Sequence, residues 1–309
     1  FLGKYVIYIM FIIMVLGLSI FTDSFFSINN FQNVLRQSAV VGVLSLGMTY
    51  ILIIGGIDLS VGSIMAFASC VTASFCTNFY TGLPLWLAIL IGVAAGAVIG
   101  LINGYIIAGL GIVPFIATLG TQTAVRGMTL VYTNGRPINS LIKGYIGIGQ
   151  GFTFGIPNPV IIFIVLSLIA WFVLSQTKYG RYLYAIGGNE EAAVVSGLNV
   201  KKLKLITYTI NGAVAAIAGI MLSARVAVGS PTAGETYELQ AITAVVIGGT
   251  SNAGGTGGIM PTIIGVLIMG ILNNGMDLLG LSGYYQKVVT GLIIIFAVVI
   301  DRNNVNRNH

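Results

Sequence analysis

Apolar blocks of the length that crosses a bilayer recur along this chain, at 4–22, 38–56, 60–80, 84–108, 112–132, 159–177, 204–224, 239–252, 258–276 and 284–300. A helical crossing needs about 20 apolar residues. With 7% charged residues, against about 25% in a soluble domain, lipid must be the main solvent of the fold. The mean hydropathy of +0.98 agrees. The chain is therefore read as a single all-α, polytopic membrane domain over 1–309, with about ten crossings and room for broken or re-entrant segments. Two blocks are irregular. Arg126 and several threonines interrupt 112–132, and 239–252 is short and runs into the glycine cluster 248–258, so it is a candidate re-entrant segment. The chain opens on Phe1, and Tyr5 to Phe21 is too long for a signal h-region, so it reads as a retained first span behind a missing native start.

The net charge of +6 is spread between apolar blocks, as membrane topology requires, and is no nucleic-acid signal. Lys178, Arg181, Lys201, Lys202 and Lys204 make 178–204 the densest basic segment, which assigns it to the cytoplasm. Arg302 and Arg307 place the C-terminus on the same side, and an even count places the N-terminus there too. The 133–158 loop, which carries Arg136 and Lys143, then faces outward.

The residues argue against an enzyme. His309 is the only histidine, and Cys70 and Cys76 are the only cysteines, both inside one apolar block, where a structural disulfide is not expected. This leaves no common zinc or iron ligand set, no Cys-His nucleophile and no histidine base. No Gly-x-x-x-x-Gly-Lys-Ser/Thr run exists, and the 248–258 cluster lacks lysine, so the chain does not hydrolyse ATP alone. No cofactor or metal is expected.

Within Ile54-Gly55-Gly56-Ile57-Asp58-Leu59-Ser60-Val61-Gly62-Ser63, a carboxylate stands between glycine pairs at the junction of two apolar blocks. A charge at membrane depth faces protein, a cavity or water, and broken backbone is tolerated only where protein or water satisfies it. Asp58 then either lines a transport path or caps the following helix, and the two roles are compatible. Asp58 and Asp277 are the carboxylates read at spans, and Arg126 is the one intramembrane base, which either pairs with one of them or, the favoured reading, snorkels to the interface. Gly92, Gly96, Gly100 and Gly104 form a stripe read as helix packing. Two faint repeats appear: Ile53-Ile54-Gly55-Gly56 with Val246-Ile247-Gly248-Gly249, and Gly100-Leu101-Ile102-Asn103-Gly104 with Gly270-Ile271-Leu272-Asn273-Asn274-Gly275. Asp58, Ser60, Asn273 and Asn274 are the candidate polar lining of a path for hydroxyl-rich substrates. For the asparagines, helix–helix hydrogen bonding is the equal alternative.

In the basic loop, Asn189 suits an N-cap, Glu190 and Glu191 suit a helix N-terminus, and Gly197 suits a stop. The expected product is a helix of about two turns that shows Ala192 and its apolar neighbours to solvent. So short a helix needs support, from a docked partner or from its own membrane domain.

At these residues the chain resembles the ribose-type permeases of bacterial ABC sugar importers. The resemblance rests on Gly55 to Ser63, on Gly187-Gly188-Asn189-Glu190 with Ser196 to Val200, and on Pro231 to Gly234 through Tyr237-Glu238-Leu239. Ala244 to Ser251, Leu272 to Gly275 and Val131 to Gly135 add to it, in order from about residue 25 to 300. It implies an inner-membrane subunit that pairs with a second permease, identical or not. It also implies a cytoplasmic ATPase pair that carries ATP and Mg, and a periplasmic or lipid-anchored sugar-binding protein. The segment with Gly188, Asn189, Glu190, Glu191, Ala192 and Gly197 then corresponds to the coupling helix that docks on the ATPase. Ribose is the favoured substrate. Another small sugar, an autoinducer-type molecule or a secondary transporter are the alternatives.

Overall fold

The computed structural model describes residues 24–79 and 82–293, with isolated positions 12, 15–17, 19, 22 and 295. The first candidate span and the tail arginines Arg302 and Arg307 fall almost wholly outside the described residues. The last candidate, 284–300, is described as a helix over 283–293.

The chain folds as helices joined by short turns. These are α1 (Ile28–Ile53), α2 (Val61–Phe75), α3 (Leu85–Ala108), α4 (Pro114–Thr133), α5 (Lys143–Gln150), α6 (Asn158–Gln176), α7 (Lys178–Gly188), α8 (Glu190–Val195), α9 (Val200–Val226), α10 (Tyr237–Ile247) and α11 (Ile259–Leu278). Among the described residues, α1, α3, α6, α9 and α11 are long and apolar enough to cross a membrane. The full-length span expected at 60–80 needs correction, whereas 239–252 is short, as its re-entrant reading expects. The block at 60–80 holds only the 15-residue α2, and that at 239–252 only the 11-residue α10. At about 1.5 Å per residue these helices reach about 22 and 16 Å, short of a hydrocarbon core of about 30 Å. Non-helical chain at 54–60 and 227–236 precedes them. The interrupted block at 112–132 is nevertheless one helix, α4. The 133–158 loop is ordered by α5 and by a two-stranded antiparallel hairpin, β1 (Phe152–Thr153) with β2 (Ile156–Pro157).

Contacts divide the molecule into two ends. At one, the Arg36 guanidinium near the start of α1 reaches the Gln150 carbonyl at 3.4 Å and sits 4.6 Å from the Phe152 ring centroid. There too Asn78 N–H donates to Ser140, and Ile138 bridges to Gly229 beyond α9. At the opposite end, Gly255 N–H donates to the Ile53 carbonyl at 2.9 Å, the Tyr184 hydroxyl donates to Gly257 at 2.8 Å, and Lys204 pairs with Glu190 at 2.7 Å. Helix α1 connects the two ends through the buried core, with Val40, Val43, Leu44, Met48, Ile51, Leu52 and Ile53 fully enclosed.

The glycine stripe of α3 is a packing surface, as its spacing predicts. A Cβ at Gly96 would lie 2.5 Å from the Gly212 carbonyl oxygen, and one at Gly104 2.8 Å from the Leu205 Cα. At Gly100 it would overlap the Tyr208 carbonyl. Helices α3 and α9 thus touch backbone to backbone. One faint repeat gains a structural meaning: Gly100–Gly104 and Gly270–Gly275 lie on α3 and α11, the helices that follow α2 and α10, each short helix coming after a long one and a break. The other pair ends α1 and α10 with similar turns, but one residue out of the register of the sequence match. Gly55 (φ +72°) and Gly249 (φ +92°) take the left-handed conformation, while Gly56 N–H bonds back to Ile51 and Thr250 N–H to Val245.

Candidate functional site

The Asp58 carboxylate is fully buried where α1 has ended and α2 has not begun. One oxygen, Oδ1, accepts from the Ser60 backbone N–H at 2.9 Å and from the Ser60 hydroxyl at 2.6 Å. The other, Oδ2, accepts from Asn211 Nδ2 of α9 at 2.8 Å. Asn103 of α3 donates to Ser60 Oγ at 2.8 Å. Thr118 of α4 accepts from Leu59 N–H at 3.1 Å, so the unwound chain is pinned by three other helices. Ser60 holds the N-cap position of α2 without a side-chain cap bond; its hydroxyl donates to Asp58 instead, and its own backbone N–H goes to the same carboxylate. Asp58 and Ser60 are therefore brought together, and every oxygen of the carboxylate has a donor. Asn103 and Asn211 were not readable as their partners, because they stand 43 and 153 residues away.

Asn273 and Asn274 lie elsewhere, buried near the end of α11. Asn274 and Asn30 of α1 exchange amide hydrogen bonds, Asn30 Nδ2 to Asn274 Oδ1 at 3.0 Å and Asn274 Nδ2 to Asn30 Oδ1 at 2.7 Å. This is the helix–helix bonding that was one of its two readings. Asp277 is outside this pair and accepts from Gln286 at 2.7 Å.

The second broken segment meets the first. Arg126 does not snorkel away. Its Nη1 donates to the carbonyls of Pro231 at 2.6 Å and Ala233 at 2.9 Å, and its Nη2 reaches the Gly62 carbonyl at 3.4 Å. One guanidinium on α4 thus ties the chain before α10 to the first turn of α2. At the crossing, a Cβ on Gly234 would lie 2.5 Å from the Gly62 oxygen, and one on Gly62 would overlap the Glu238 carboxylate. Glu238, which stands just before the apolar block 239–252, is in the first turn of α10 and buried. Its position after a Pro-Thr-Ala-Gly turn and before an apolar run was the available signal.

The basic segment forms α7 and α8. Thr177 caps α7, and the Asn189 side chain accepts from Ala192 N–H at 2.8 Å to cap α8, whose first turn carries Glu190 and Glu191. Gly188 closes α7. Gly197 (φ +83°) ends α8, with Leu198 N–H bonding back to Ala193. Ala193 faces inward, whereas Val195 is 89% exposed. Glu190 is held by Lys204 from its own chain.

Buried polar couplings, unwound segments and half-length helices between long apolar ones are the architecture of a transport subunit. The family described as branched-chain amino acid transport system / permease component matches residues 30–298. The ribose import permease protein of Haemophilus influenzae is 42% identical over 308 residues, covering 97% of this chain and 94% of its own length. That of Bacillus subtilis is 47% identical over 292 residues, covering 94% and 90%. The D-allose transport system permease protein of Escherichia coli is 38% identical, covering 96% and 90%. No solved structure matches the chain. The chain belongs to this family of transport-system permeases, in its ribose-type ABC importer branch, and is a multi-pass membrane subunit.

Proposed function

We propose that the chain is the membrane-spanning subunit of a bacterial ABC importer that passes a ribose-like monosaccharide through the inner membrane. The observation that carries this reading is identity of 42% and 47%, over nearly full length, to two ribose import permeases. The subunit does no covalent chemistry. A binding protein delivers the sugar outside, a cytoplasmic ATPase pair holds ATP and Mg, and a second permease subunit completes the path. The reading keeps about ten crossings, α2 and α10 each counted with the unwound chain before it, with both termini and 178–204 in the cytoplasm and 133–158 outside. What supports it is that 133–158 and 178–204 lie at opposite ends of the described residues. The α7–α8 segment, with Gly188 to Ala192 and Gly197, is the ATPase dock. The exposed Val195 supports this, since an apolar side chain 89% open to solvent beside basic residues suits a protein contact. Asp58 and Ser60 anchor the broken wall of the path, and Asn273 and Asn274 border it where α11 meets α1.

The test is reconstitution in vesicles with the cognate ATPase and binding protein. ATP-dependent uptake of radiolabelled ribose is expected, in preference to allose and xylose. Uptake that ignores ATP and follows an ion gradient instead would overturn the reading.

A further inference from the structure

Two short helices start at one place and run apart: α2 toward the end that holds Ser140 and Gly229, and α10 toward the end that holds Ile53 and Gly187. Their N-terminal turns touch through Gly62 and Gly234, and Arg126 clamps both. The free N–H groups of a helix start favour acceptor atoms, and half-helix N-termini that meet inside a membrane protein suit polar ligand groups. A second observation lies at the same point. Glu238 is 7% exposed, and its Oε2 is enclosed without a hydrogen-bond donor. Its Oε1 has Gln122 Nε2 of α4 at 3.5 Å. The backbone N–H groups of Thr236 and of Glu238 itself bond toward the carboxylate from the open end of α10, but leave Oε2 without a donor. Glu235 and Glu238 lie close enough to act on the Arg126 charge, but neither is within ion-pair distance among the described residues.

An enclosed carboxylate oxygen with nothing to accept is costly to keep, and its persistence asks for a donor that comes and goes. Glu238 on α10 and Gln122 with Arg126 on α4 bring together a carboxylate acceptor, a primary amide and a guanidinium edge on two adjoining elements, the combination that reads vicinal hydroxyls. We propose that Glu238 and Gln122, positioned by Arg126, form a transient hydroxyl-recognition site for the sugar in transit, where the two half-helices meet. In this site Glu238 Oε2 accepts from one sugar hydroxyl, and the Gln122 amide, free of its long contact, bonds the neighbouring one. No covalent step occurs. The inference rests on the transport reading above and adds residues that discriminate between sugars inside the membrane.

The experiment is uptake by the reconstituted transporter with its ATPase and binding protein, using radiolabelled ribose and xylose. Glu238→Gln keeps the shape and one acceptor but loses the charge. It should lower ribose uptake on the order of 10-fold, the scale of one hydrogen bond to a charged group. Assembly should be unchanged, ATP hydrolysis should fall less than twofold, and the ribose-to-xylose ratio should shift. Gln122→Ala, a milder change on the half-exposed side of α4, should shift the same ratio and serves if Glu238→Gln fails to assemble. Wild-type uptake and an unchanged ratio in both variants would overturn the site, as would losses that track assembly and ATP hydrolysis equally for both sugars. If the wild-type complex imports neither sugar while it hydrolyses ATP, the transport reading fails first, and the site falls with it.

Discussion

The molecule buries two carboxylates where its two broken segments give way to short helices, and treats them in opposite ways. Asp58 is saturated: Ser60 supplies an N–H and a hydroxyl, and Asn211 an amide, so both oxygens already hold donors. Glu238 keeps one oxygen without a donor and the other at 3.5 Å from Gln122. The lesson is that burial of an acid does not by itself mark a working site. Asp58 welds α2 to α9, and through Ser60 to α3, whereas Glu238 holds bonding capacity in reserve.

The contrast makes stability predictions of different size. Asp58→Ala strands the Asn211 amide and the Ser60 N–H, and should destabilise the protein by on the order of 3 kcal/mol, since hydrogen bonds to a charge are the strong ones. Thermal unfolding in detergent, followed by size-exclusion, checks it; an unchanged midpoint would erase the contrast. Gly62→Ala comes next. Its new Cβ would press on the Glu238 carboxylate and the Gly234 carbonyl, and overpacking of this kind costs about 1–3 kcal/mol. Asn274→Ala should cost about 1 kcal/mol, because interhelical polar bonds in membranes are worth about 0.6–2. Glu238→Ala should change stability by less than about 1 kcal/mol, because one carboxylate oxygen has no donor and the other only a long bond to Gln122. A loss as large as that of Asp58→Ala would show that Glu238 is a weld as well. The smallest change expected is Glu190→Gln. It opens the exposed bridge to Lys204, a surface pair worth about 0–1 kcal/mol, and should leave membrane insertion unaltered.

Much of this was legible in the chain, and the reasons are physical. A carboxylate between glycine pairs in an apolar run announces a break, and the break is at 54–60. Glycines four apart announce close helices, and α3 lies against α9. Asn189 and Gly197 bound α8 because capping is a local property. What stayed hidden was whatever depends on distant partners. Nothing near Asp58 names Asn211, and nothing near Asn274 names Asn30. Arg126 looked like a residue that would reach for the membrane surface, since its acceptors are carbonyls of Pro231 and Ala233 more than 100 residues on. Glu238 escaped notice because α10 begins two residues earlier than its apolar run does.

The junction beneath α7 has a mechanical consequence. A Cβ at Gly187 would overlap the Ile53 carbonyl and lie 2.5 Å from Gly255 N, and one at Gly254 would lie 3.0 Å from Gly55 N. Three strands of main chain touch there with no side chain between them. Side chains yield by changing rotamer, but abutting peptide planes have almost no such give. A joint packed this way has little slack, and the last turn of α1 and the 253–255 segment are the parts that would have to give if α7 moved. Bulk introduced at Gly187 would act on that linkage as a shim, and would set its zero position.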